Sequence, residues 1–299
     1  RKSEVRKVSI QTGFLIDLSE GQAMEFFDTL AIMTHLDELH IQSSSRFHVQ
    51  IMPLRAMRAL KKGLRLQTLV LEDMQVTAQH KDFISDLASF VEDHPTLKTI
   101  AMRNFFSNDW ANTDSNILDP LLWTLATAPQ LETLELSGCG SHALTGQNVT
   151  LLSPTALSKL LTAAKLTKLE LSFLELEAPH FQTIAAQLRI NRTLTHLTLD
   201  YHKLERQGFE DMMLALEKNV TIKALSLRSL NEIGDDGFCQ AMHMLQQNYV
   251  VESLAVMTAP NQQAEIDLYL RMNGAGRNLL REPNTSLSQW MDVLAKNSD

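Results

Sequence analysis

The chain has 299 residues, of which 44% are hydrophobic, and a formal net charge of −8 from 35 acidic and 27 basic residues. The charges are spread along the chain without a long run of one sign. This argues against a general nucleic-acid-binding surface or a surface for acidic membranes, because both need clustered basic residues. No apolar run reaches about 18 residues, so direct membrane insertion is not expected.

Nine segments share one pattern, an aliphatic residue at relative positions 1, 4 and 6. They begin at intervals of 28 to 35 residues, at Val5, Leu36, Leu66, Leu97, Leu131, Leu166, Leu194, Ile222 and Val251. A repeat of this length is typical of a solenoid, in which each unit packs only on its neighbours. Val, Ile, Leu or Met fills every one of these positions, so residues 1–260 are predicted to form about nine repeats.

The repeat that begins at Leu194 shows how one unit folds. Leu194, Leu197 and Leu199 predict a short strand with the last two on one face. After a turn at residues 201–207, helical spacing predicts an amphipathic helix through Phe209, Met212, Met213 and Leu216. The helix should end at Asn219, a residue that tolerates the left-handed conformation. Strand followed by helix, repeated, predicts parallel strands joined by helical crossovers.

This strand–helix unit resembles the leucine-rich repeats of the ribonuclease-inhibitor type, over about residues 5 to 260. That family carries Asn or Cys at repeat position 9, and here only Cys139 matches. The resemblance implies an α/β fold, a right-handed leucine-rich-repeat solenoid. Such an array is curved, with parallel strands on the concave face and helices on the convex face.

Residues 261–299 depart from the repeat and are predicted to form a helical C-terminal cap. One helix should run from Glu265 and be closed by Gly274 or Gly276, and a second should carry Leu287 and Trp290. A solenoid needs an end cap to shield its last core layer. A docking module is the alternative interpretation. The tail is similar to the ends of diatom leucine-rich-repeat proteins, which implies no activity.

The predicted concave face carries short polar side chains with both signs of charge interleaved. They include Lys7, Ser9, Glu38, His40, Thr68, Glu72, Thr99, Arg103, Thr133, Glu135, Lys168, Glu170, His196, Thr198, Asp200, Ser226 and Arg228. Such a surface suits a protein partner and offers little to a phosphate backbone.

The repeats that begin at Leu97 and Leu131 are longer than the others, and added residues of a repeat fall in loops on one rim. Phe105 should face inward at position 9. Neighbouring aromatic and arginine side chains are typical anchors of a protein interface. The predicted partner-binding residues are Arg103, Phe106, Trp110, His142, Glu135, Glu170, His196 and Asp200.

No catalytic motif is present in the sequence, so no enzyme activity, cofactor or metal is expected. A hydrolytic or metal role for His196, Asp200 and His40 lacks a third convergent group. The predicted function is a non-catalytic protein–protein binding module or assembly scaffold. One alternative is a substrate adaptor that docks through its C-terminal helices. The other is a GTPase-activating-type regulator, which would use an exposed arginine, Arg46 or Arg103.

Cysteine usage indicates the compartment. Cys139 and Cys239 lie 100 residues apart, more than three repeats, so a disulfide between them is not expected. An intracellular, reducing compartment is therefore predicted, with the cytoplasm favoured. An organelle is the alternative if an N-terminal targeting segment has been removed.

Overall fold

The computed structural model describes residues 5–11, 20–33, 35–43, 65–74, 81–106, 116–138, 151–229 and 232–277, with residues 286, 288, 289, 291 and 295. The chain forms two compact units, residues 1–175 and residues 176–299. The predicted division at residue 260 coincides with the start of a helix, and as a domain boundary it stays a prediction.

The described residues of the first unit form six strands and four helices. In chain order these are β1 (Lys7–Gln11), α1 (Glu20–Ala31), β2 (Glu38–Gln42), β3 (Thr68–Glu72), α2 (Lys81–Asp93), β4 (Thr99–Phe106), α3 (Asp119–Thr127), β5 (Thr133–Gly138), α4 (Pro154–Leu160) and β6 (Lys168–Ser172). The second unit contains α5 (Ala178–Leu188), β7 (His196–Thr198), α6 (Arg206–Leu216), β8 (Ala224–Ser226), α7 (Gly234–Gln247), β9 (Ser253–Ala255) and α8 (Pro260–Gly274).

Neighbouring strands pair in parallel and in chain order, from β1 to β6 in the first unit and from β7 to β9 in the second. Equivalent repeat positions lie opposite each other, so that Leu39 faces Leu69 and Leu69 faces Ile100. Every strand begins at repeat position 3. The nine predicted strand segments are therefore confirmed, and the chain has an α/β repeat fold.

The core lies between the strands and the helices and is built from the aliphatic positions of the repeat. All residues at positions 1, 4 and 6 are buried except Val5 and Val8, which belong to the first repeat. The predicted helix face, from Phe209 to Leu216, is buried on α6. Phe105 is fully buried as expected, and its ring packs 5.6 Å from that of Phe83 on α2.

Backbone hydrogen bonds hold successive repeats in phase just before each strand. The carbonyl oxygen of Arg6 accepts from the N–H groups of Asp37 and Glu38, at 2.8 and 2.9 Å. The same pair of bonds recurs at the carbonyl oxygens of Asp37, Gln67, Lys98 and Glu132 in the first unit and of Thr195 and Lys223 in the second. Each of these carbonyls is therefore occupied by two donors.

A buried asparagine fixes the turn between helix and strand in the second unit. Asn219 is 1% exposed, and its Oδ1 accepts from the N–H groups of Thr221 and Ile222 at 2.9 and 2.7 Å. Its Nδ2 donates to the carbonyls of Leu188 and Asn191 in the preceding repeat, at 2.7 and 3.3 Å. The predicted left-handed conformation at Asn219 is wrong, since its φ is not positive. The side chain, rather than the backbone, makes the turn.

The next repeat reproduces this arrangement at Asn248. Its Oδ1 accepts from Val250 and Val251, and its Nδ2 donates to the carbonyls of Leu216 and Asn219. Stacked asparagines therefore connect successive repeats through their side chains. Because a buried polar group without partners is costly, this ladder favours a single alignment of the repeats.

Two side chains complete the ladder at its C-terminal end. Asn273, in α8, donates from Nδ2 to the carbonyls of Asn248 and Val251, at 3.1 and 2.7 Å. Arg277 donates from Nη2 to the carbonyls of Leu245 and Asn248. Burial lowers the pKa of Arg277. Helix α8 begins five residues before the predicted start at Glu265, and Gly276, just beyond it, has a φ of +94°.

Replacing Asn248 should destabilise the second unit. Asn248→Ala removes four hydrogen bonds and leaves their backbone partners buried, so we expect a loss of about 2–4 kcal/mol in the free energy of unfolding. Urea denaturation followed by circular dichroism measures it. The matched control is Gln247→Ala. Gln247 is the exposed last residue of α7, directly before Asn248, and its replacement should change the free energy of unfolding by less than about 0.5 kcal/mol. Equal effects of the two substitutions would contradict a stabilising ladder.

Candidate protein-binding face of the first unit

The side chains at repeat positions 3, 5 and 7 of β1–β6 point away from the core, and we call this surface the strand face. In β2 and β3 these positions are half-buried while the residues between them are buried, as strand alternation predicts. Polar side chains here pair across neighbouring strands. Lys7 Nζ lies 2.7 Å from a Glu38 carboxylate oxygen, and His40 Nε2 lies 3.0 Å from Glu72 Oε2.

An arginine and two glutamates stand together on β4–β6. Arg103 donates from Nε and Nη2 to Oε2 of Glu135, at 2.8 and 2.6 Å. Glu135 lies directly opposite Glu170 in the β5–β6 pairing. Like charges at directly opposite strand positions repel, and Ser172 Oγ donates to Glu170 Oε1 at 3.3 Å. This group, Arg103 with Glu135 and Glu170, unites three of the predicted partner-binding residues and carries a net negative charge.

A chain of hydrogen bonds crosses the strand ends beside this group. Gln42 Nε2 donates to Asp73 Oδ2 at 3.3 Å, and Asn104 Nδ2 donates to Asp73 Oδ1 at 2.7 Å. The backbone N–H of Asn104 donates to Ser137 Oγ at 3.0 Å. Side chains from four successive repeats are thereby held in fixed positions. Preorganised polar groups of this kind lose little conformational entropy when a partner binds.

The central members of this chain, Asp73 and Asn104, are not among the site residues predicted from the sequence. Both occupy repeat position 8 and have positive φ, +57° and +48°. Phe173 and Tyr201 occupy position 8 of other repeats with φ of +55° and +63°. Asp and Asn tolerate this conformation well, so their presence directly after a strand was the available signal.

Strand β4 contains a bulge at this point. Met102 lies opposite Leu136, but Phe106 lies opposite Gly138, so β4 has two more residues than β5 over the same span. The left-handed Asn104 lies within the bulge. Bulges are frequent at sheet edges and near functional sites, where they redirect side chains. The added length of this repeat therefore begins inside the strand.

The two enlarged connections, which follow β4 and β5, have neighbouring starts and neighbouring ends. They leave the sheet from paired strands, where Phe106 lies opposite Gly138. Where they return, Leu118 N–H donates to the carbonyl of Leu151 at 2.9 Å. Ser153 donates from its backbone N–H and Oγ to the Asp119 carboxylate, at 2.8 and 2.6 Å. Hydrogen bonds between the repeats thus hold the ends of the two connections next to each other.

Several predicted site residues lie outside the described part of the chain. Trp110 and His142 belong to the two enlarged connections, and Arg46 precedes β3. Phe106 is described only through its backbone in β4. Their part in binding stays a prediction.

Two predicted site residues belong to the second unit. His196 is exposed on β7, where its Nδ1 lies 2.8 Å from Thr195 Oγ1. Asp200 is only 7% exposed, and its Oδ1 accepts from Ser226 Oγ at 2.6 Å and from the N–H of Arg228 at 2.9 Å. The expectation that Asp200 projects into solvent is therefore wrong. Its carboxylate ties the segment after β7 to the next repeat.

Two absences concern the described residues alone. Within them, no three His, Cys, Asp or Glu side chains converge in a way that could hold a metal ion. Among the helices of the same residues, none is long and apolar enough to cross a membrane.

Comparison with known proteins finds likeness to solved structures only. No protein-family model matches the sequence, and no curated protein matches it. The chain is similar to the solved structure described as "Leiomodin-1 Actin-Binding Site 2 (ABS2)", with 14% sequence identity and a TM-score of 0.41. The likeness covers 66% of this chain and 93% of that chain. The parallel strands and intervening helices described above are compatible with a leucine-rich-repeat fold.

The left-handed backbone at Asn104 predicts an unusual order of substitution effects. Asn104→Ala loses the bond to Asp73 and also places an alanine in the left-handed region, which alanine tolerates less well than asparagine. We therefore expect the free energy of unfolding to fall by about 1–3 kcal/mol. Asn104→Gly loses the bond without that strain and should cost less, about 0.5–1.5 kcal/mol. Urea denaturation compares the two. If glycine proves as costly as alanine or more so, backbone strain is not part of this site.

Proposed function

We propose that this chain is a non-catalytic protein-binding module, or assembly scaffold, that binds its partner through the strand face of the first unit and the two enlarged connections. The observation that carries the proposal is that the two connections begin next to each other and end next to each other. They leave β4 and β5 as neighbours and return to Leu118 and Leu151 as neighbours. Two insertions whose ends are adjacent, next to a preorganised polar face, would offer one continuous region to a partner.

The chemistry of this region favours a partner with a cationic side chain. Arg103 is engaged by Glu135, and Glu170 lies directly opposite Glu135, so two carboxylates stand close to one arginine. The side chains of Arg103 and Glu135 are 48% and 25% exposed, so a partner can reach them. A lysine or arginine from the partner would relieve the repulsion between the two glutamates. Such electrostatic complementarity supports specificity and the rate of association.

We further propose that the repeats form a right-handed solenoid of the ribonuclease-inhibitor type with a helical C-terminal cap. The arrangement of Asn273 and Arg277 supports the cap, because both donate to the carbonyl that a further ladder asparagine would occupy. In the full array the strand face would then be concave. We place the protein in a reducing compartment, in keeping with the exposed free thiol of Cys239.

The regulator alternative receives no support from the described residues. A GTPase-activating arginine acts by reaching into the partner's site, as arginine fingers do. Arg103 instead lies in the sheet, and two of its nitrogens bond to Glu135. We therefore prefer the binding module.

A charge swap tests whether a partner recognises this group. Arg103→Glu should lower the melting temperature and abolish capture of the partner, because three carboxylates then meet on β4–β6. Arg103→Glu with Glu135→Arg restores an ion pair in reversed order. The double variant should regain stability but not capture. Immobilised proteins are compared by quantitative mass spectrometry of what they retain from an extract of the producing cells after crosslinking.

The swap separates binding from folding. Recovery of both stability and capture in the double variant would mean that the partner does not recognise this pair. Loss of stability in the double variant would show that the orientation of the pair matters for folding. Melting curves are therefore recorded for every protein used in the capture.

A tryptophan substitution tests the first enlarged connection. Trp110→Ala should weaken partner binding by about 1–2 kcal/mol, which is roughly 5- to 30-fold in affinity, with almost no change in melting temperature. Trp123 provides a matched control, because it is an exposed tryptophan on α3. Trp123→Ala should leave affinity unchanged. A Trp110 variant that is destabilised but keeps its affinity would assign this ring to the packing of its own loop.

A further inference from the structure

A groove lies along the edge of the first unit where the strands begin, and we call it the edge groove. It has a volume of about 540 Å³ and draws its walls from five successive repeats. This is within the range of about 300–1,000 Å³ that holds compact ligands. Its described lining includes Arg6, Asp37, Arg65, Gln67, Lys98 and Gln130. None of these residues belongs to the strand face.

The backbone of the edge groove has little acceptor capacity left. The carbonyl oxygens of Arg6, Asp37, Gln67 and Lys98 each already accept two N–H groups from the next repeat. A carbonyl oxygen has two lone pairs, so these four are saturated. These four carbonyls therefore offer no further acceptor to a ligand.

The side chains of the edge groove are mainly donors. Arg6, Arg65 and Lys98 contribute three cationic groups, against the single carboxylate of Asp37. Lys165 Nζ donates to Gln130 Oε1 at 2.7 Å, which occupies that amide's oxygen and leaves its NH₂ as a donor. A ligand that matches this lining is therefore an anion with several acceptor oxygens, such as carboxylates.

The existing ion pairs in the groove are weak competitors for such a ligand. Arg6 lies 3.5 Å from Asp37, and its side chain is 78% exposed. Lys98 lies 3.7 Å from Glu132, with both side chains about half-exposed. Pairs of this kind contribute little, so a ligand carboxylate can replace them at small cost. Arg65 makes no ion pair with the described residues.

The length of the groove favours a short extended segment over a long polyanion. Arg6 and Lys98 flank β1 and β4, which are three strand spacings apart, or about 14 Å. Four residues of extended chain span about the same distance. At this end Glu132 lies close to Lys98 and Lys165 contacts Gln130, while the chain as a whole is acidic, with a net charge of −8, which opposes the binding of a long polyanion. A nucleic acid would have to continue past this point with its phosphates.

We propose that the edge groove binds an acidic, extended segment of a protein, with carboxylates at alternate positions that meet Arg6, Arg65 and Lys98. Alternate residues of an extended chain point to the same side, so three such carboxylates face the groove together. The surface is separate from the strand face and extends the proposed function to a second contact of opposite charge preference.

The experiment measures peptide binding by fluorescence anisotropy. The probe is a labelled short peptide with aspartate at three alternate positions among serine and glycine, and the comparison peptide has asparagine at those positions. We expect the aspartate peptide to bind wild-type protein and the asparagine peptide to bind at least about tenfold more weakly. Affinity should fall as ionic strength rises, because the contacts are exposed charge pairs.

Two paired variants locate the site. Arg65→Gln with Lys98→Gln should weaken the aspartate peptide by at least about tenfold. Arg65→Lys with Lys98→Arg keeps both charges and should stay within about threefold of wild type, because the groove demands charge more than fork geometry. The control, Arg189→Gln with Lys203→Gln, removes two exposed cations from the second unit and should leave affinity unchanged.

Four outcomes would overturn the proposal. They are equal binding of the two peptides, wild-type affinity in the Arg65/Lys98 glutamine variant, an equal loss in the Arg189/Lys203 control, and competition by oligothymidylate at an affinity similar to that of the peptide. The last would identify a general polyanion surface. Because Arg103, Glu135 and Glu170 take no part, these results are independent of the charge-swap experiment. Each proposal can therefore fail alone.

Discussion

The in-phase parallel pairing of the strands determines the other features of both units. When Leu39 lies opposite Leu69 and Leu69 opposite Ile100, every aliphatic position meets its equivalent, and the core becomes a set of continuous rows. A slip by one residue would move those rows to the solvent side, because side chains alternate along a strand. The two N–H groups that share each carbonyl before a strand oppose such a slip. Register and burial thus select the same alignment.

Each unit reinforces this register with different polar chemistry. In the first unit, solvent-accessible groups do so, through the side chains of Gln42, Asp73 and Asn104 at the strand ends. The second unit uses the buried ladder of Asn219 and Asn248 at the opposite ends of the strands. A half-buried network at the surface can exchange its partners with another protein, whereas a fully buried ladder cannot. This difference is a reason to expect recognition in the first unit.

The ladder must also end, and its last members show the physical cost of doing so. Asn273 Oδ1 and Arg277 Nε are buried without a hydrogen-bond partner among the described residues. In the earlier members, Oδ1 accepts N–H groups from the chain that leads into the next strand. Arg277 is instead held by the faces of Tyr249 and Tyr269, 4.4 and 5.0 Å from its Cζ. Cation–π contact partly offsets the desolvation that lowers its pKa.

How far the sequence predicts this protein depends on whether a feature is local or shared between repeats. The strands, the buried face of α6 and the inward Phe105 follow from spacing, which is a local property. The bonds that Asn219 Nδ2 donates and that Asp200 Oδ1 accepts join residues 26 to 31 positions apart, so no local pattern contains them. From its repeat position alone, Asp200 is predicted to be solvated. The structure shows that Ser226 and Arg228 donate hydrogen bonds to it instead.

The candidate surfaces follow the same division. Spacing assigns Arg103 and Glu135 to one face, but their contact arises from the pairing of β4 with β5. The edge groove has no motif at all, since Arg6, Arg65 and Lys98 are separated by 59 and 33 residues. It forms because each repeat returns the chain to the same edge of the sheet. The backbone carbonyl oxygens at repeat position 2 of this edge already accept the hydrogen bonds that align the repeats. Because those carbonyl oxygens are occupied, the cationic side chains of Arg6, Arg65 and Lys98 determine which ligand the groove can bind.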